Sequence, residues 1–121
     1  MTYAAYAHDA VVILDPDGDS RAPGGRITVE LCGHWDHEPP CPLWPHHTEA
    51  TRADDDTVRL RVLFAAEPAD EKHVRQLIRV ALLSGEQADH DGRVTHWILE
   101  SEDASSIRPD EADHAARLAA S

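Results

Sequence analysis

Hydrophobic and polar residues alternate along several short stretches of the chain, which predicts β-strands. Arg26–Cys32 has isoleucine, valine and leucine at its odd-numbered positions and mostly polar residues between them. Thr57–Phe64 repeats the alternation, with two arginines on its polar side. Ala10–Leu14 is a short apolar run and Arg93–Leu99 alternates less cleanly, but both are rich in β-branched residues. Since alternation is typical of strands covered on one face, we expect four half-buried strands.

A helical period replaces the alternation over about Ala69 to Leu83. Asp70 and Glu71 place negative charge at its start, and Gly85 stands where a left-handed C-terminal cap is expected. A second, short helix is expected over Pro109–Ala120, with an apolar face made almost entirely of alanine. The main helix has an apolar stripe with helical spacing, formed by Val74, Leu77, Ile78, Ala81 and Leu82.

These elements follow the order β-β-loop-β-α-β-α and predict an α+β fold. We expect a two-layer sandwich, in which a four-stranded, mostly antiparallel sheet carries the main helix and the short C-terminal helix on one face. A ferredoxin-like plait is the alternative, and it requires another helix between the early strands. A chain of 121 residues can bury a core of its own, so residues 1–121 are interpreted as a single domain.

The stretch Cys32–Thr48, CGHWDHEPPCPLWPHHT, carries the most distinctive chemistry. It opens an aperiodic connection over residues 33–56, and connections this long are usually functional or disordered. Its thiols and imidazoles are the donors that zinc prefers, and its prolines lower the entropy lost when ligands converge. We therefore predict a zinc-like transition-metal site with the candidate ligands Cys32, His34, His37, Cys41, His46 and His47.

Other interpretations of this stretch stay open. Its spacings match no zinc finger or ribbon, and the donors can equally serve packing, a disulfide between the cysteines, or a reactive thiol. Cys32–His37 has the form C-x-H-x-D-H, which resembles the H-x-H-x-D-H motif of metallo-β-lactamase-fold hydrolases except for its first ligand. That fold needs two sheets and a longer chain, so the resemblance ends with these six residues. If Trp97 faces the helix, His96 is expected on the same open sheet face as Cys32 and His34; the alternative is a hydrogen-bonded or exposed histidine.

Charge and composition narrow the function classes. The formal net charge is −12, from 23 acidic and 11 basic residues, which argues against binding to nucleic acid or to an anionic membrane surface. A basic protein partner or a second copy of the chain remains compatible with this charge. No nucleotide-binding glycine motif is present, so no nucleotide or organic cofactor is expected. A start without a basic segment, and no apolar run long enough to span a bilayer, predict a cytoplasmic protein.

Three functions follow as hypotheses. The first is a small bacterial metal-binding protein, the bacterial origin being indicated by ten arginines against a single lysine. The second is a non-enzymatic acidic interaction module that serves as an accessory or inhibitory subunit. The third is a small metal- or thiol-dependent hydrolase that uses Cys32 and His34.

Overall fold

The computed structural model describes residues 3–32 and 44–120, and the Cys32 side chain lies outside the description. The elements are β1 (Ala4–Leu14), α1 (Ala22–Cys32), β2 (His46–Arg52), β3 (Thr57–Ala66), α2 (Glu71–Ser84), β4 (Glu86–Ala88), β5 (Val94–Ser105) and α3 (Ala112–Ala119). One-turn 3₁₀ helices over Pro68–Asp70 and Pro109–Glu111 precede α2 and α3. The strands pair antiparallel in the order β2-β3-β1-β5-β4.

The predicted α+β class is confirmed, but the sheet has five strands instead of four. Two of the five strands were not predicted: β2, which lies inside the connection predicted over residues 33–56, and the short β4. One of the four predicted strands, Arg26–Cys32, is instead part of a helix. The main helix and its left-handed cap are confirmed, since Gly85 has φ 70°. Within the described residues, no helix is long and apolar enough to cross a membrane.

The largest departure from prediction is Arg26–Cys32, which belongs to helix α1 and is not a strand. Ile27 and Leu31 are fully buried, and a spacing of four residues fits one helix face as well as one strand face. Val29, which only the strand pattern would bury, is half-buried. Pro23 near the start of the segment also suits a first helical turn, where its missing N–H costs nothing.

Two local contacts accompany this helix. Gly18 N donates to Asp15 O at 3.0 Å in a turn that leads from β1 toward α1. Glu30 accepts from Arg26 one turn earlier in the same helix, at 3.0 Å. With α1 in place, the order β-α-β-β-α-β is that of the ferredoxin-like alternative, with β4 and α3 as additions.

We call the sheet face that α1 and α2 cover the inner face. Its side chains, together with those of the two helices, form the main apolar cluster, which includes Val12, Leu60, Phe64, Ile78 and Trp97. The Trp97 indole N–H donates to Leu82 O on α2 at 2.9 Å, which satisfies the polar end of a buried aromatic.

The opposite face is the outer face, and α3 covers part of it. Leu63 and Ala65 of β3 point away from the inner cluster, yet both are buried, as is Ala115 of α3. The expectation that both predicted helices share one face is therefore wrong. Alternation along β3 explains the outcome, because Leu63 and Ala65 add apolar surface to a face that otherwise carries arginines.

Candidate functional site

Only part of the predicted ligand set falls within the described residues. His34, His37 and Cys41 lie outside them, as does the side chain of Cys32. Cys32 ends helix α1 and is not the end of a strand. His46 and His47 are described, at the start of β2.

His46 points to the inner face and is held at both ring nitrogens. Its Nδ1 lies 3.2 Å from Trp44 O, and because a carbonyl only accepts, Nδ1 carries the proton. Its Nε2 lies 3.1 Å from Thr28 Oγ1 on helix α1. Metal binding by His46 would require the loss of one of these contacts, so the observed role of its ring is to fasten β2 to α1.

His47 points to the outer face and meets His114 of α3. The two ring centroids are 4.8 Å apart, with the planes inclined by 55°. Adjacent strand residues point to opposite faces, so His46 and His47 cannot bind the same ion. Within residues 3–32 and 44–120, no group of three or more His, Cys, Asp or Glu residues is placed to hold a metal.

His96 lies on the outer face at the far end of the sheet. Its Nδ1 is 3.6 Å from Asp15 Oδ2, and its Nε2 is 3.3 Å from Glu86 Oε2. The helix that ends at Cys32 packs against the inner face. The expectation that His96 shares a face with Cys32 is therefore wrong, and its ring is engaged by two carboxylates.

A polar network that the sequence analysis missed lies between β1, β5 and α2. His8 is buried, and its Nδ1 is 3.0 Å from Arg75 Nη1. Because a guanidinium only donates, Nδ1 accepts and the ring proton is on Nε2, which faces Glu102 Oε2 at 3.3 Å. Arg75 also donates to Ala7 O at 2.8 Å. No ring nitrogen is left for proton transfer to a substrate, so this network is structural.

The sequence carried only part of the signal for that network. The first predicted strand, Ala10–Leu14, is apolar at every position, so it does not indicate which face His8 joins. Arg75 stands four residues after Glu71, and their side chains pair at 2.9 Å. The pairing within α2 was thus predictable, whereas the burial of His8 and its partners were not.

A second cluster centres on Arg61 and fastens α3 to the outer face. Two guanidinium nitrogens donate to the two Glu111 oxygens, each at 2.7 Å, and Nη1 donates to Asp9 Oδ1 at 2.8 Å. These hydrogen bonds lower the pKa of Glu111 to about 2 and raise the pKa of Arg61 above its usual value. Both groups stay charged at neutral pH, so the cluster acts as a clamp.

Comparisons with known proteins do not assign a family. The chain matches no family model, and no curated protein is similar to it. One similar solved structure is a hydantoinase/carbamoylase family amidase from Burkholderia ambifaria, with 12% sequence identity and a TM-score of 0.48. The alignment covers 96% of this chain but 32% of the amidase chain. A likeness this distant supports no statement about activity.

Proposed function

We propose that the protein binds a transition-metal ion, zinc or a related one, through imidazole ligands on its outer face. The observation that supports this proposal is the contact between His47 and His114, whose ring centroids are 4.8 Å apart. The two residues are far apart in sequence and on different elements, so folding brings them together. Imidazole is a ligand for zinc, copper and nickel alike.

The pair supplies two ligands and leaves coordination positions for water or for further donors. Structural zinc sites have four ligands, and catalytic ones keep a position open. The thiols and imidazoles of Cys32, His34, His37 and Cys41 remain sequence predictions for such further donors. His46 also stays a sequence prediction, and metal binding by its ring would replace one of its two contacts with protein atoms.

Metal titration of purified protein tests the proposal. We expect saturable binding of Zn²⁺, Cu²⁺ or Ni²⁺ by isothermal titration calorimetry. His47→Ala and His114→Ala should each weaken binding about tenfold or more, which corresponds to about 1.4 kcal/mol for a lost ligand. Elemental analysis of protein purified without added metal then shows whether an ion is bound in cells.

His73→Ala is the matched control, because His73 is an exposed histidine on α2 whose ring contacts Trp44. This variant should bind metal like the wild type. Wild-type affinity in both the His47→Ala and His114→Ala proteins would overturn the assignment. Loss of binding in Cys41→Ser alone would move the site to the predicted loop donors.

An acidic interaction module is a second candidate, and the far end of the outer face favours it. Ile13 and Ile98 are cross-strand partners there, 39% and 71% exposed, and Val94 on the same face is 44% exposed. Asp15 and Glu86 border this apolar patch with negative charge. We expect this protein to bind a basic protein, and the binding should be lost at high salt and in the Ile98→Thr variant. Binding that persists in both conditions would contradict this interpretation.

The hydrolase hypothesis rests on Cys32 and His34, whose side chains lie outside the described residues. It therefore remains a prediction from the sequence.

A further inference from the structure

Two arginines on the outer face of β3 differ completely in how their hydrogen-bonding groups are used. Arg61 donates all five of its N–H groups, to Glu111, Asp9, Ser105 and the Ser106 carbonyl. The side chain of Arg59, two residues away on the same face, is exposed and forms no hydrogen bond or ion pair within the described part of the chain. An unpaired guanidinium next to a saturated one is available to bind a ligand.

Arg59 lies in a groove of about 450 Å³ that runs across the outer face beside the Arg61 clamp. Its cross-strand neighbours are Thr51 on β2 and Val11 on β1. Beyond Val11, Ser101 is the aligned residue of β5. In this row Arg59 and Val11 form the middle, and the hydroxyls of Thr51 and Ser101 stand at its two ends. The volume of the groove falls within the range of small-molecule sites.

Two carboxylates stand at opposite sides of the same groove. Glu49 and Asp103 belong to the neighbouring cross-strand row, on β2 and β5, and each lines the groove. Neither forms a side-chain hydrogen bond or ion pair within residues 3–32 and 44–120, and the same holds for Thr51 and Ser101. The groove thus combines the unpaired guanidinium of Arg59 and the lining side chain of Arg108 with two free carboxylates and two free hydroxyls.

The charges indicate which ligands fit. A guanidinium binds a carboxylate through two parallel N–H···O bonds. A phosphate or dicarboxylate would also meet Arg59, but it would add negative charge to a lining in which the carboxylates already outnumber the guanidiniums. The carboxylates are those of Asp9, Glu49, Glu102 and Asp103, and the guanidiniums are those of Arg59, Arg61 and Arg108. An amine without a carboxylate would leave Arg59 unpaired. A ligand with both a carboxylate and at least one ammonium group satisfies both signs.

We propose that this groove binds a small zwitterion of the amino-acid class, with its carboxylate on Arg59 and its ammonium groups toward Glu49 and Asp103. A basic amino acid suits the site best, because its two ammonium groups can address the two carboxylates. This site does not depend on the contact between His47 and His114, and it can be tested in protein that carries no metal.

Titration with L-lysine and with cadaverine tests the proposal, because cadaverine keeps two amines and lacks the carboxylate. We expect saturable binding of lysine in a metal-free buffer with a chelator, followed by calorimetry and by amide chemical shifts at Thr51 and Ser101. Cadaverine should bind about tenfold more weakly, since it forgoes a charge-assisted hydrogen-bonded pair. Arg59→Gln should weaken lysine binding by a similar factor and leave cadaverine unchanged.

Lys72→Gln is the control, because it removes one positive charge from an exposed position on α2. It should bind lysine like the wild type. Equal weakening by Lys72→Gln and Arg59→Gln would show a general charge effect and overturn the proposal. So would lysine and cadaverine binding with equal affinity, or the absence of saturable shifts at Thr51 and Ser101.

Discussion

The two faces of the sheet serve different purposes. The inner face is closed by α1 and α2, and its His8 ring and Trp97 indole have partners within the fold. Thr48 Oγ1 is buried there without a partner in the described part of the chain. The outer face is closed only where α3 packs on Leu63 and Ala65. Beyond α3 it presents rows of charged and hydroxyl side chains. Stability is thus concentrated on one side of the sheet, and unused binding capacity on the other.

The outer face itself is divided at the Arg61 clamp. On one side of it, α3 covers alanines and a leucine, and His114 reaches His47. On the other side, Arg59 and its neighbours are open to solvent. Arg61 and Arg59 share a strand, a face and a chemistry, so the difference between them arises from their neighbours. Arg61 has Glu111 above it and Asp9 and Ser105 beside it in the sheet.

The largest expected effect comes from truncating two leucines that lie on opposite faces of β3. Leu60 is 2% exposed on the inner face, and Leu63 is 4% exposed beneath α3. We expect Leu60→Ala to lower the free energy of unfolding by about 3–4 kcal/mol, and Leu63→Ala by about 2 kcal/mol, because α3 can move to fill a cavity more easily than two helices can. Urea denaturation measures both. Equal losses would mean that α3 is packed as rigidly as α1 and α2.

The next test removes each arginine in turn. Arg61→Gln leaves Glu111 largely buried without its cation, so we expect a loss of about 2–3 kcal/mol and faster amide exchange in α3. Arg59→Gln removes no contact and should change stability by less than about 0.5 kcal/mol. Urea denaturation and hydrogen exchange provide the two measurements. A loss in Arg59→Gln as large as that in Arg61→Gln would show that Arg59 has a structural partner.

Much of the fold was predictable because its period was unambiguous. Thr57–Phe64 alternates over enough residues to exclude a helix, and the stripe from Val74 to Leu82 recurs too often to suit a strand. Arg26–Cys32 was ambiguous, because only Ile27 and Leu31 are fully buried there and their spacing fits both periods. The segment forms a helix because of its position in the chain, since a helix between β1 and β2 packs beside α2 and helps to cover the inner face.

The candidate site was less predictable, because it depends on pairings between distant elements. The contact of His47 with His114 requires β2 at the sheet edge and α3 on the outer face, and neither placement follows from local pattern. The same applies to Arg59 and Arg61, which look identical in the sequence. Strand β2 was missed within the connection predicted over residues 33–56. Its sequence, HHTEATR, is mostly polar on both faces, so it shows no alternation.

A third test uses pH to isolate the clamp. The pKa of Glu111 is about 2 in the folded protein, below its ordinary value of 4.5, because Arg61 hydrogen-bonds to its charged form. A lowered pKa stabilises the fold at pH values above the ordinary one, and this stability is lost as the pH falls toward 2. Allowing for solvent screening, we expect a loss of about 1–2 kcal/mol across that interval.

Urea denaturation at a series of pH values measures this effect. Glu111→Gln should be less stable than the wild type near neutral pH, and its stability should change less over the acid interval. Arg61→Gln should flatten the profile in the same way, because it removes the group that lowers the pKa of Glu111. An unchanged acid profile in both variants would show that other carboxylates govern the acid transition.

The smallest expected effect concerns the apolar residue that the outer face leaves in solvent. Ile98 is 71% exposed, whereas its neighbour Trp97 is 5% exposed on the inner face. Ile98→Thr keeps a β-branched residue in the strand and should change the free energy of unfolding by less than about 0.5 kcal/mol. A larger loss that grows with protein concentration would show that a second copy covers Ile98, because self-association stabilises only the folded state. The outer face would then be a contact between copies, and light scattering would show a dimer that Ile98→Thr dissociates.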